Sequence, residues 1–200
     1  EESATLYRDG FRDLLLKPHE CSVRSVCGVV RSNIGVLDSA VYFVNEHLAD
    51  LHRLSVGILH NDFNYANGLY ESDGTFVSFL DVDQLGIGPF IFDIGNTLAS
   101  FSTPFLKNHS YEQFEKAACR FLRAYHEIHP LPLGEYSFIL FATQRWDMMR
   151  ILRSLRRHHY EGDRLTELLP KITERLLPRI QESPRIFSFL KSPNFVRALM

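Results

Sequence analysis

His60, Asp62 and Asn67 fall together in "GILHNDFNYANGLY" (residues 57–70), between an apolar run and a segment that alternates like a strand. Asp81 and Asp83 follow in "FLDVDQ", and Asp93 in "FDIGN". None of these side chains serves a hydrophobic core. Carboxylate and amide oxygens of this kind suit a hard divalent cation such as Mg²⁺, which takes one or two protein carboxylates and completes its shell with waters and phosphate oxygens. A carboxylate held beside such a cation without ligating it can orient an attacking hydroxyl.

The elements that must position these groups can be read from hydrophobic periodicity. Residues 4–16 read as a short amphipathic helix ending before Pro18, and the following stretch to about Asn33 as irregular or weakly extended. Leu37, Val41, Val44, Leu48 and Leu51 form one helical stripe, with Asp38 placed to cap its start and the helix reaching about Leu54. Residues 57–67 read as a loop, and residues 68–82 as two strands around a Ser-Asp-Gly turn. With the turn centred near Gly74, antiparallel pairing returns Asp81 to the side of Asn67 at the open end of the hairpin, and Asp62 lies in the loop just before. The remainder is helical: about 110–129, about 133–159, and a third helix interrupted near Pro178. The whole reads as one α+β, mostly helical domain over residues 1–200. In kinase-type phosphoryl transfer a loop Asp positions the nucleophile, while an Asn and a second Asp hold the metal. Asp62, Asn67 and Asp81 fit that division of labour.

"HNDFNYAN" followed by "FLDVDQLGIGPFIFDIGN" resembles the catalytic core of the aminoglycoside phosphotransferase and choline kinase superfamily, small-molecule kinases of protein-kinase-like fold. The resemblance covers roughly residues 36–160, and the "HND" and "FDIGN" forms are most similar to choline and ethanolamine kinases. It implies a C-terminal lobe with a β-hairpin beside the catalytic loop. Asp62 is then the catalytic residue, Asn67 and Asp81 bind Mg²⁺, and Asp93 braces the catalytic loop from behind. His60 buttresses the same loop. Asp83 is either a secondary metal ligand or a solvated carboxylate, and Asn96 reads better as a helix cap than as a site residue. ATP is the implied co-substrate, and the acceptor is a small-molecule alcohol: choline or ethanolamine, a homoserine-like amino alcohol, or an aminoglycoside.

A kinase of this type also needs a Gly-rich loop and a strand lysine clamped to a helix glutamate. Residues 1–56 hold no G-x-G-x-x-G, and their single lysine, Lys17, is followed directly by Pro18. An amino-terminal nucleotide lobe is therefore expected in the full-length chain. A kinase-like lobe that binds a ligand without catalysis is the alternative reading, and a metal-dependent hydrolase using His60, Asp62, Asp81 and Asp83 is a weaker third, since such sites are richer in histidine.

Composition bounds the partners. Apolar residues make up 45% and charged residues 23%, and the formal net charge is −2, which gives no electrostatic reason to expect nucleic acid or an anionic membrane. No stretch approaches the ~20 apolar residues of a membrane span. Cys21, Cys27 and Cys119 show no Cys-x-x-Cys spacing, and a reducing, cytoplasmic setting is expected. Between residues 145 and 185 there are ten Arg or Lys against six Asp or Glu. That excess disfavours a polycationic acceptor and fits one carrying a carboxylate, unless the charges belong to solvated helix faces. Trp146 could stack on a quaternary amine, but its apolar helix makes it a core residue first.

Overall fold

The computed structural model describes residues 28–29, 31–161 and 169–199. The helix expected over residues 4–16 and Lys17 lie outside these. The described residues divide into two compact units, one drawn from the chain up to Ala49 with Gln144–Gln181, the other from Asp50–Thr143 with Glu182–Met200.

In the first unit, residues 28, 29, 31 and 32 are helical, where an irregular stretch is expected. Val29 explains the difference: it packs against the core, and its carbonyl accepts the Asn33 side-chain amide at 2.9 Å, which winds the chain into a turn. Helix α1 (Ile34–Leu48) then begins at Asn33, so Asp38 sits inside the helix and not at its cap. Leu37, Ala40 and Val44 are its buried stripe. Leu37 and Ala40 meet Met148, Ile151 and Leu152, together with Ile172, Leu176, Leu177 and Ile180. Met148, Ile151 and Leu152 belong to α4 (Ile139–Glu161). Ahead of Pro178 the backbone loosens into a π-turn over Ile172–Leu176, in which the Leu177 N–H reaches the Ile172 carbonyl. Proline has no N–H to continue an α ladder, and the widened turn absorbs that loss before the chain resumes as an α-helix over Leu177–Ile186.

Asp147 and Arg179 are both buried in this unit and form a bidentate pair, Arg179 Nε donating to Asp147 Oδ2 at 3.1 Å and Nη2 donating to Oδ1. Arg179 is therefore a structural charge, not part of a solvated face. Trp146 is buried as its sequence context implies, with the Arg150 guanidinium 5.5 Å from its ring centroid.

The second unit carries two small antiparallel ladders. Strand β1 (Val56–Leu59) pairs with β4 (Gly86–Pro89), and β2 (Gly68–Tyr70) pairs with β3 (Phe76–Phe79). The first ladder replaces what reads from sequence as loop. Its glycines hide it, since glycine lowers strand propensity, yet they are what let it close. Gly57 pairs with Gly88; a Cβ on Gly57 would sit 2.1 Å from the Phe90 ring, and one on Gly88 would sit 2.9 Å from Leu59. In the hairpin, Glu71 and Thr75 close a three-residue loop ending in Gly74 at φ 88°. The loop is thus centred on Asp73, and an irregularity between Leu69 and Tyr70 shifts the register, so Gly68 faces Phe79. Asn67 is accordingly bonded to Leu80, its carbonyl accepting the Leu80 N–H at 2.8 Å, and Asp81 comes one residue later than expected.

Behind the ladders run α2 (Ile91–Lys107), whose first half is almost wholly buried, and the amphipathic α3 (Tyr111–Ile128). A 3₁₀ segment (Leu133–Phe138) leads into the first residues of α4. Gly95 lets α2 and α4 touch: its Cβ would lie 2.5 Å from that of Ala142. Phe114, Phe187, Phe189 and Phe195 stack edge to face beneath α3. No helix among the described residues is long and apolar enough to cross a membrane. The outer faces of the strands keep large apolar groups in solvent, Ile58 and its partner Ile87 most of all.

The buried pair gives a stability test. Arg179→Met should lower stability by about 3–5 kcal/mol, because it strands the Asp147 charge, whereas replacing both residues with apolar ones should recover most of that loss. Urea unfolding followed by circular dichroism measures both, as a shift in midpoint at constant slope.

Candidate functional site

The loop from His60 to Asn67 is held by one face of α2. Asp93 stands in the first turn of that helix and spends both carboxylate oxygens on the loop backbone: His60 N–H donates to Oδ2 at 2.7 Å and Asn61 N–H to Oδ1 at 2.8 Å. Asp93 therefore ties the backbone of His60 and Asn61 to α2. Burial pushes the Asp93 carboxyl above its ordinary value, against the pull of the two amides. Three and four residues on, the same face continues. Asn96 is buried within the helix and its Nδ2 lies 3.4 Å from the Asn61 carbonyl; it is not the cap its sequence context suggests. Thr97 Oγ1 lies 2.8 Å from the Asp93 carbonyl and 3.2 Å from that of Phe63. Nearby, burial with Tyr136, Asp93 and Glu135 pushes the Tyr125 hydroxyl up to about 12, which keeps it protonated.

Within the loop, Asn67 closes on Asp62. Its Nδ2 donates to the Asp62 main-chain carbonyl at 2.8 Å and to the carboxylate Oδ2 at 3.1 Å. Asn64 adds a bond to the same carbonyl at 2.9 Å and turns the chain by accepting the Ala66 N–H. With its nitrogen committed to Asp62, Asn67 has its amide oxygen left to offer a cation.

The post-hairpin segment is tied to this loop by side chains. His60 Nε2 donates to the Leu80 carbonyl at 2.9 Å, and its ring lies 5.8 Å from Phe79 and 6.0 Å from Phe63. His60 thus buttresses both loop and hairpin. Asp81 is left-handed, φ 59° and ψ 55°, and leads into a 3₁₀ turn over Val82–Gln84. Its carboxyl is raised, first by Asp83 lying against it, then by slight desolvation and the Asp62 charge, with His60 pulling the other way. Asp62, Asp81 and Asp83 therefore share one electrostatic neighbourhood, and Asp83 is exposed.

A site rich in carboxylate oxygen and short of positive charge suits a hard cation with several water or phosphate ligands, so the donors match Mg²⁺. Among the described residues no group of three or more His, Cys, Asp or Glu side chains is disposed to hold a metal on protein ligands alone, and the His60–Asp62–Asp81–Asp83 set of the hydrolase reading is not assembled. Asn61, Asn96 and Thr97 escape a motif-based reading. The signal was nonetheless present, since Asp93, Asn96 and Thr97 share the i, i+3, i+4 spacing of one helix face.

Asp93→Asn tests the brace. One carboxylate oxygen becomes an amide N–H facing a backbone N–H, so a half-buried donor loses its acceptor, which costs about 1–3 kcal/mol. Hydrogen exchange should show the His60 and Asn61 amides losing protection first; unchanged protection would remove Asp93 from the bracing role.

A family model described as the phosphotransferase enzyme family matches residues 29–131, just over half of the chain and the whole of the loop, the hairpin and the Asp93 face. Comparison with curated proteins and with solved structures found no match. The chain belongs to the phosphotransferase enzyme family.

Proposed function

We propose that this chain is the catalytic lobe of an ATP- and Mg²⁺-dependent kinase that phosphorylates the hydroxyl of a small molecule. The observation that carries this reading is the bracing of the loop by Asp93, which presents Asp62 beside Asn67 and within the field of Asp81 and Asp83. Asp62 is the catalytic residue: its carboxylate orients the acceptor hydroxyl and receives the proton as the oxygen bonds to the γ-phosphorus, while the bond from that phosphorus to the β,γ-bridging oxygen breaks and ADP leaves. The Asn67 amide oxygen and the Asp81 carboxylate would hold Mg²⁺, with Asp83 a supporting carboxylate. When bound, the metal neutralises charge on the transferring phosphoryl group. His60 and Asp93 position the loop without touching substrate.

The Gly-rich loop and strand lysine belong to an amino-terminal lobe that we place elsewhere in the full-length chain, and the acceptor is a small amino alcohol in a cytoplasmic setting. Choline, ethanolamine, homoserine and an aminoglycoside span the acceptor classes to be tried. The basic excess after residue 145 disfavours the last, although Arg179 is spent on Asp147 and so weakens that inference.

In the full-length protein, Asp62→Asn should lower turnover by about 10²–10⁴ with little change in nucleotide affinity. Asp81→Asn should weaken Mg-nucleotide binding as well as turnover, because it alters a metal ligand. Coupled ATP-consumption assays on the four acceptors measure the first effect and calorimetry the second. If Asp62→Asn leaves turnover untouched, or no small alcohol is phosphorylated, the chain is a kinase-like binding module instead.

A further inference from the structure

Asn61 has four separate constraints on it, and none of them involves a substrate. Its backbone is left-handed at φ 62°, a conformation that Asn tolerates far better than branched side chains. Its N–H is held by Asp93 and its carbonyl lies against the Asn96 amide. Its own side chain then leaves the loop and donates from Nδ2 to the Gln84 carbonyl at 3.0 Å. Opposite that amide stands Gly86, where a Cβ would sit 2.9 Å from Asn61 Nδ2 and meet nothing else nearer than the Gln84 carbonyl at 3.9 Å. Gly86 leaves room for the Asn61 side chain.

The neighbouring residue makes the second tie, His60 Nε2 to the Leu80 carbonyl. The two bonds land on residues 80 and 84 and so straddle the segment that carries Asp81 and Asp83. We propose that Asn61 is a positioning residue that fixes the Asp81–Asp83 segment relative to Asp62, so that the metal-binding carboxylates and the catalytic carboxylate are set by one dipeptide. His60 holds the near end of the segment and Asn61 the far end. Because Asp93 clamps the backbone of both residues, the position of the segment is referred to α2 and not to the solvent-exposed hairpin. This inference rests on the reading of Asp81 as a metal ligand.

Asn61→Gly is the informative variant, since glycine takes the left-handed backbone without strain while removing the side-chain amide. In the full-length protein it should raise the Mg²⁺ concentration for half-maximal turnover by about two- to tenfold, the worth of one hydrogen bond, with the thermal midpoint and acceptor KM little changed. A metal-free readout accompanies it. The Leu85 amide, bonded to the Val82 carbonyl across the turn, should lose hydrogen-exchange protection, while the His60 and Asn61 amides held by Asp93 keep theirs. Gly86→Ala should reproduce both effects in the wild-type background by displacing the Asn61 amide, and should add nothing in the Asn61→Gly background. Unchanged Leu85 protection in Asn61→Gly, or full additivity of the two substitutions, overturns the positioning role. If Asp62→Asn is silent the kinase reading fails, yet the exchange cycle still decides whether Asn61 fixes the segment.

Discussion

One carboxylate, Asp93, fixes the geometry on which the rest of this unit depends. Two successive backbone N–H groups at the end of a strand have no ladder partner, and leaving them unpaired in a half-buried place is costly. A charged acceptor on the first turn of α2 takes both at once, and the helix N-terminus favours negative charge at that point. Charge-assisted bonds of this kind are short and directional. The loop thereby takes its position from a helix whose first half is packed on every side, and the groups it carries are placed by the core.

That anchoring answers a difficulty posed by the strands. Each ladder has only two strands, a size that is marginal in water without further support, and the hairpin residues are exposed throughout β3. A ligand set shared between a loop and such a hairpin would drift unless something cross-linked them. The His60 and Asn61 side chains and the ring contacts of Phe63 with Phe79, 5.2 Å apart, supply that link. The Asp83 carboxylate beside Asp81, with the Asp62 charge added, raises the Asp81 carboxyl and works against the fold, since like charges repel, and this is tolerable where solvent or a cation screens them. The cost is borne at a tightly held segment, which is where a protein can keep an arrangement that is unfavourable until a ligand arrives.

Much of this was legible in the sequence. The loop motif, the acidic triad after it, the hairpin and the long amphipathic α3 all have strong local signatures, and the family match covers the same stretch. What escaped has a common cause. Strands β1 and β4 are built on paired glycines whose purpose appears only when Phe90 and Leu59 lie over them. Asn33 displaced Asp38 as the start of α1 because Val29, eight residues earlier than Leu37, joined the same core and drew its turn into helix. Asn96 looked like a cap because Asn caps helices, whereas a buried amide facing the Asn61 carbonyl can be identified only after the loop is docked. Arg179 could not be sorted from its basic neighbours until Asp147 was found opposite it. Each miss is a tertiary contact overriding a local preference.

The one-residue difference in hairpin register shows how such contacts fix the chemistry. Had the hairpin been centred on Gly74, Asp81 would have been the residue opposite Asn67 and part of the ladder. With the loop centred on Asp73 and the register slipped, Leu80 takes that place, and both of its main-chain groups are used, the N–H on the Asn67 carbonyl and the carbonyl on His60. The ladder ends there. Asp81 is then free to turn left-handed, and the 3₁₀ turn that follows brings Asp83 back against it. A regular strand would keep residues 81 and 83 on one face about 6–7 Å apart, whereas the turn brings Asp83 near enough to be the main cause of the raised Asp81 carboxyl. The closeness of the pair is thus a product of where the strand stops, and it is the doubly bonded Leu80 that stops it.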